Sequence, residues 1–284
     1  MENNYLSNHT STFAGYDITD YQINALKDSL EGLITNAEAA RRLTAHPEAS
    51  STPVELKQRL GGLWTLLNDT AVELPSAQPQ IISILQMIRK LPKTEEPKGE
   101  GEEYMDFDDG FFWRELTDWA SNWADAFNSH SARFLIDHNA SDEEKAKRKV
   151  AWKNACAYAA RLASTGEDAL TSYGSGLDRA TRAIAEALET DINDQESNSL
   201  EAAAQLFLYA GPELYRRCKE SQTKGMLTST TGSWQDELGF SDARWRFWLE
   251  KWKNLAKQPD VSIHTRSIAQ EAVKAMEKAE TSQV

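Results

Sequence analysis

Apolar positions along this chain recur every three or four residues and almost nowhere every second one, so the pattern predicts helices throughout and no sheet. In the segment at 105–127, MDFDDGFFWRELTDWASNWADAF, Leu116, Trp119, Trp123 and Phe127 fall on one helical face, with Phe112 leading the stripe. Ala151, Ala155, Tyr158, Ala159 and Leu162 form another face, and Trp245, Trp248, Trp252 and Leu255 a third. Start signals sit where these stripes begin. Thr52-Pro53-Val54-Glu55 reads as an N-cap, a first-turn proline and a capping-box glutamate, and Ser141 with Glu144 reads as a second box. Ser76 precedes a helical run that closes on Pro92, and further helices are expected over about 176–190, 199–219, 242–257 and 262–280. The expected fold is all-α, a single-domain helical bundle of about nine or ten helices.

The strongest interruption is KTEEPKGEGEE at 93–103, read as a polar loop inside one domain spanning 1–284 rather than as a linker. The residues before it hold one tryptophan, Trp64, and look like a layer that needs the remainder for burial. The ends, 1–16 and 280–284, are expected to fray.

Charge narrows the function classes. Forty-four acidic residues against thirty-one basic ones leave a formal net charge of −13. Such a surface disfavours phosphate backbones and anionic membranes, so no nucleic-acid partner is expected. The apolar run AAAQLFLYAG at 202–211 is about half the length of a spanning helix. Two cysteines and an N-terminus without a basic and apolar leader pattern point to a cytoplasmic protein. Gly-rich phosphate loops, G-x-S-x-G, H-E-x-x-H and C-x-x-C do not occur.

Four segments could carry chemistry. Asp108 and Asp109 open the tryptophan-rich segment, either complementing a helix start or holding Mg²⁺ at the mouth of an aromatic pocket. Asn193, Ser197 and Glu201 are spaced i, i+4 and i+8, so a continuous helix would present three hard oxygen ligands on one face. The rival account makes Asn198 an N-cap and Glu201 its capping-box partner. Asn154, Tyr158 and Arg161 form a polar stripe beside the apolar face of the 150–164 helix. An arginine there should meet a carboxylate or a ligand anion. Arg244 and Arg246 flank the late tryptophan stripe and could reach a phosphate or pair with surface acids such as Asp242, while Trp245 and Trp248 are core residues or the wall of a cavity.

The segments FFWRELTDWASNWADAFN, WKNACAYAARLAS, LDRATRAIAEALE, LEAAAQLFLYAGPELY and GFSDARWRFWLEKWKNLA together resemble a fungal family of helical proteins of unknown function, the OpdG-like proteins. That family looks related to the α-humulene synthases, which are class I sesquiterpene cyclases. The kinship implies a terpene-cyclase-like all-α fold, Mg²⁺ as cofactor and a prenyl diphosphate, farnesyl diphosphate, as substrate. It implies metal ligation by Asp108, Asp109, Asn193, Ser197 and Glu201, with Asp109 and Glu201 as the catalytic carboxylates. Asn154, Tyr158, Arg161, Arg244 and Arg246 would then meet the substrate, and Trp113, Trp119, Trp245 and Trp248 would shape the pocket around the cation. The product would be a cyclic hydrocarbon of humulene type. The alternative is a non-catalytic member of the same family that acts through partners. Oligomeric state stays open, a homodimer included.

Overall fold

The computed structural model describes residues 4–99, 101, 105–130, 140–171, 177–189, 199–222, 232–236 and 238–282. Every regular element among them is helical. They belong to two compact units, Met1–Asn128 and Ser129–Val284.

The first unit runs α1 (Asn4–Asn8), α2 (Thr10–Ala14), α3 (Asp20–Leu30), α4 (Asn36–Glu48), α5 (Pro53–Glu73), α6 (Gln78–Ile88), α7 (Phe112–Glu115) and α8 (Trp119–Ser129). Its spine is α5, where Leu56, Leu60, Leu63 and Leu67 repeat at spacings of four and three and are fully enclosed. Thr52 caps it through the Glu55 amide, and Glu55 reaches back to the Ser51 amide, one residue further than a regular capping box. Ser76 makes no cap. It lies in a 3₁₀ turn, Pro75–Ala77, that leads directly into α6.

Within residues 1–16, expected to fray, Asn4–Asn8 and Thr10–Ala14 form α1 and α2, and their Leu6 and Phe13 are 3% and 2% exposed. The Tyr5 ring packs on His9 and Phe13, with centroids at 4.4 and 6.1 Å. Burial, with the carboxylates of Asp69 and Glu73 on α5, pushes the Tyr5 phenol far up.

One uninterrupted helix over 112–127 does not form. The chain leaves α7 at Leu116 with φ 52° and enters α8 at Trp119 after Asp118 at φ 63°. Even so, Leu116, Trp119, Trp123 and Phe127 are all buried as the stripe demands. The break has a polar cause. Trp64 donates to the Thr117 carbonyl at 2.8 Å and Trp119 donates to Asn68 at 3.2 Å, which fixes the turn against α5. Loop 93–103 starts pinned: the Thr94 amide donates to the Gly110 carbonyl at 3.0 Å. Gly110 has φ 81°, and a Cβ there would collide with the Thr94 carbonyl, so only glycine suits this crossing.

The second unit contains α9 (Asp142–Ala163), α10 (Asp168–Thr171), α11 (Leu177–Ala180), α12 (Arg182–Leu188), α13 (Leu200–Lys219), α14 (Asp242–Lys257) and α15 (Ile263–Thr281). Ser141 and Glu144 form a complete capping box on α9. The helix expected over 176–190 is split at Thr181 into α11 and α12.

Helix α13 is the axis. Lys153 meets Glu201 near its start and Arg161 meets Tyr209 eight residues on, so α9 runs parallel to it. Phe207 sits among Trp245, Trp248 and Trp252, with ring centroids at 5.8, 6.1 and 6.2 Å, while Tyr215 reaches Trp245, so α14 runs antiparallel. Gly211 lies against Ala275 and Ala279 of α15, where a small residue on each side lets the helices close. Burying each tryptophan of α14 contributes roughly 2–3 kcal/mol over leaving it exposed. No helix among the described residues is long and apolar enough to cross a membrane.

Candidate functional site

The site-bearing residues of the sequence fall in both units. Asp108, Asp109, Trp113 and Trp119 belong to the first, and Asn154, Tyr158, Arg161, Glu201, Arg244, Trp245, Arg246 and Trp248 to the second. Asn193 and Ser197 lie outside the described residues, as does Asn198.

Asp108 and Asp109 stand in a 3₁₀ turn with positive φ, 57° and 53°. Asp108 accepts the Thr117 hydroxyl through one oxygen, and its own amide donates to Asp106 at 2.9 Å. Asp109 is exposed. Neither side chain caps α7.

The four tryptophans are buried and hydrogen-bonded. Trp113 donates to Glu48 at 2.9 Å, Trp119 to Asn68, Trp245 to Glu280 at 2.9 Å and Trp248 to Glu189 at 2.8 Å. Each is at most 1% exposed, and Trp245 and Trp248 turn their rings to Phe207.

Arg244 is entirely enclosed, and its guanidinium grips Glu189 at the end of α12. Nε donates to Oε1 at 2.8 Å, Nη2 donates to Oε2 at 2.7 Å, and Nη1 donates to the Gly239 carbonyl at 2.9 Å. Desolvating two charges costs several kcal/mol each, and only such a complete set of bonds offsets it. Arg244 is thus held by protein, not positioned for phosphate. Arg246 is exposed and pairs with Asp242 at 2.7 Å, the surface partner weighed for it in the sequence.

The α9–α13 seam differs. Glu201 stands in the first turn of α13, which begins after Ser199 without a side-chain cap. The capping box weighed for Glu201 needs Asn198, which lies outside the described residues. The Glu201 carboxylate faces Lys153 at 3.3 Å and Lys149 at 4.0 Å from α9, and His264 at 3.2 Å from the start of α15. Partial burial pushes the carboxyl up, but the His264 contact and the two lysines outweigh it and hold it below the usual glutamate range. The two ammonium groups belong to a stretch, 145–153, that carries Lys145, Lys147, Arg148, Lys149 and Lys153 and no acid, in a chain of net charge −13. Each of these half-exposed pairs is worth about 0–1 kcal/mol, so they can be exchanged readily.

Eight residues further, about 12 Å at the helical rise, the Arg161 guanidinium carbon sits over the Tyr209 ring, 3.6 Å from its centroid. Among the described residues Arg161 has no carboxylate partner, and its Nε meets no hydrogen-bond acceptor. Asn154 and Tyr158 lie between these two points, 4% and 0% exposed. Burial pushes the Tyr158 phenol far up, so it stays protonated.

Sequence reasoning passed over Lys149, Lys153, His264 and Glu189. The lysines were legible in part, as an i, i+4 pair on the helix of Asn154 and Arg161. His264 and Glu189 carry no local signal, because their partners are distant in the chain.

The architecture is therefore that of an all-α protein whose second unit gathers cationic groups around one half-buried carboxylate. The chain belongs to the protein family of unknown function DUF3632, whose model matches residues 64–252. No curated protein and no solved structure gives a match.

Proposed function

We propose that this protein is a Mg²⁺-dependent class I sesquiterpene cyclase that ionises farnesyl diphosphate and releases a cyclic hydrocarbon of humulene type. The observation that carries the reading is Glu201. It closes the pattern Asn193–Ser197–Glu201, and it is an ionised, half-buried carboxylate ringed by Lys149, Lys153 and His264. Diphosphate recognition needs cationic donors next to hard oxygen ligands, and this corner of α9, α13 and α15 offers both. The resemblance to the fungal OpdG-like family, which looks related to the α-humulene synthases, supports the same chemistry.

Of the pattern Asn193–Ser197–Glu201, Glu201 alone is among the described residues, which contain no group of three or more His, Cys, Asp or Glu able to hold a metal. A carboxylate oxygen is a hard ligand, and Glu201 already draws cations, since ammonium groups stand within 3.3 and 4.0 Å of it. Bound Mg²⁺ would neutralise the departing diphosphate. The residues of the chain do the rest. Lys149, Lys153 and His264 receive the diphosphate oxygens, while Asn193 and Ser197 enter the ligand set from the sequence pattern alone. Arg161, about 12 Å further along the seam and seated over the Tyr209 ring, enters the reading as a diphosphate-binding arginine from the sequence pattern. Asp108 and Asp109, with Asp109 as a catalytic carboxylate, enter the reading from the sequence pattern alone.

Purified protein supplied with farnesyl diphosphate and Mg²⁺ is expected to release a volatile hydrocarbon detectable by gas chromatography. Glu201→Ala is expected to abolish release while unfolding with an unchanged midpoint. Absence of any hydrocarbon from the native chain, with metal present, removes the cyclase reading.

A further inference from the structure

In the first unit, α1 and α2 lie along α5 above groups that titrate. The chain crosses α5 at Gly62, where a Cβ would collide with the Tyr16 carbonyl and crowd Ile18. Just past the crossing Asp17, at φ 58°, faces His46 of α4 at 3.4 Å and Arg59 of α5 at 3.5 Å, so this root is held. Asp69 and Glu73 follow Gly62 by seven and eleven residues, which puts all three on one face of α5. Tyr5 interacts electrostatically with Asp69 and Glu73, and His9 with Asp69. The N-terminal pair therefore runs antiparallel to α5 and reaches roughly 10–16 Å beyond the crossing. Leu6 and Phe13 are its buried anchors.

Asp69 is the misfit in this arrangement. It is half-buried, and among the described residues it accepts no hydrogen bond and joins no ion pair. Glu73 adds a like charge one turn on, Tyr5 brings a phenol, and the imidazole of His9 is the opposing group. We infer that α1 and α2 form a pH-operated strap: a neutral Asp69 lets them lie on α5, and an ionised Asp69 loosens the far end while Asp17 keeps the root in place. A carboxylate under the strap has neither water nor a partner, and lifting the strap returns it to water. Burial and Glu73 push the Asp69 carboxyl up to about 6 when the strap is closed. The closed state thus binds this proton more readily than the open one, and closure weakens as pH rises from about 4 to about 6. Two helices of five residues have little stability of their own, so the far end yields before α5 does.

Hydrogen exchange on the full chain, read as protection factors so that intrinsic rates cancel, tests the strap. The amides of His9 and Phe13 donate to the Tyr5 and His9 carbonyls, and they are expected to lose at least about tenfold in protection between pH 4 and pH 8. The Leu63 amide in the middle of α5 should keep its protection. Asp69→Asn is expected to stay closed at pH 8 and to flatten the pH dependence. Glu73→Gln, at an exposed position, is expected to shrink the loss without abolishing it, and it serves if Asp69→Asn loses cooperative unfolding. Native protection that ignores pH overturns the strap, and so does a loss that survives Asp69→Asn or is undiminished in Glu73→Gln. An equal loss at Leu63 overturns it as well, since the whole unit would then be opening. No substrate enters the test, so its outcome is separate from that of the cyclase reading.

Discussion

Two ion clusters in the second unit use the same chemistry under opposite conditions. Glu189 and Arg244 face each other with no solvent at all, in a bidentate pair completed by Trp248 and the Gly239 carbonyl. Glu201 faces Lys149, Lys153 and His264 at longer range and half in water. The enclosed pair satisfies every charge it was shown to carry with fixed donors, so it holds α12 to α14 and has nothing left to offer a ligand. The open cluster has more cations than its single carboxylate needs and little energy in any one contact. Arginine suits the first role because its planar fork can be matched bond for bond, and lysine suits the second because a flexible point charge changes partner at small cost. Enclosure, more than residue type, separates a structural charge from one available to a substrate.

The contrast can be broken most severely at the enclosed pair. Arg244→Met or Glu189→Gln strands a buried partner, and each is expected to cost about 3–5 kcal/mol in urea unfolding. The double variant should recover part of that loss, since no unpaired charge remains. A single substitution that costs less than about 1 kcal/mol would mean that solvent reaches the pair after all.

An intermediate case lies in the first unit. Asp69 is pushed up to about 6 by burial and by Glu73 beside it, with His9 opposing. The folded state therefore binds this proton more readily than the unfolded chain, and stability falls as pH rises from about 4 to about 6. Asp69→Asn is expected to stabilise the protein by on the order of 2 kcal/mol at pH 8. The gain should vanish at pH 4, where Asp69 is protonated anyway. Equal gains at both pH values in parallel melts would show that the effect is steric.

The smallest effect belongs to the open cluster. Glu201→Gln should change stability by under about 1 kcal/mol near neutral pH, and raised salt should erase the difference. Because its folded carboxyl lies below the usual glutamate range, that small contribution is present at neutral pH and lost as pH falls through the folded value. A loss of several kcal/mol on this substitution would make Glu201 another structural anchor and cancel the comparison.

How much of this was legible beforehand varies residue by residue. Ser141 with Glu144 marks the start of α9 correctly, and the stripes Trp119–Trp123–Phe127 and Trp245–Trp248–Trp252 are buried as their spacing requires. Those are local facts, since a helix is made of bonds between near neighbours and its periodicity exposes the face that must be covered. The break at Leu116 escaped notice because it is imposed from α5, through Trp64 and Asn68. Arg161 and Arg244 are both arginines beside apolar faces, and nothing in their neighbourhoods tells that one stacks on Tyr209 while the other closes on Glu189.

The sequence by itself determined that the chain is helical, where its main helices begin, and which aromatic faces go inside, because these follow from spacing and capping. Only the tertiary structure decided which charges are enclosed and which stay open. Glu189 meets Arg244 across 55 residues and Glu201 meets His264 across 63, and solvent exposure at such a meeting depends on every helix that packs around it.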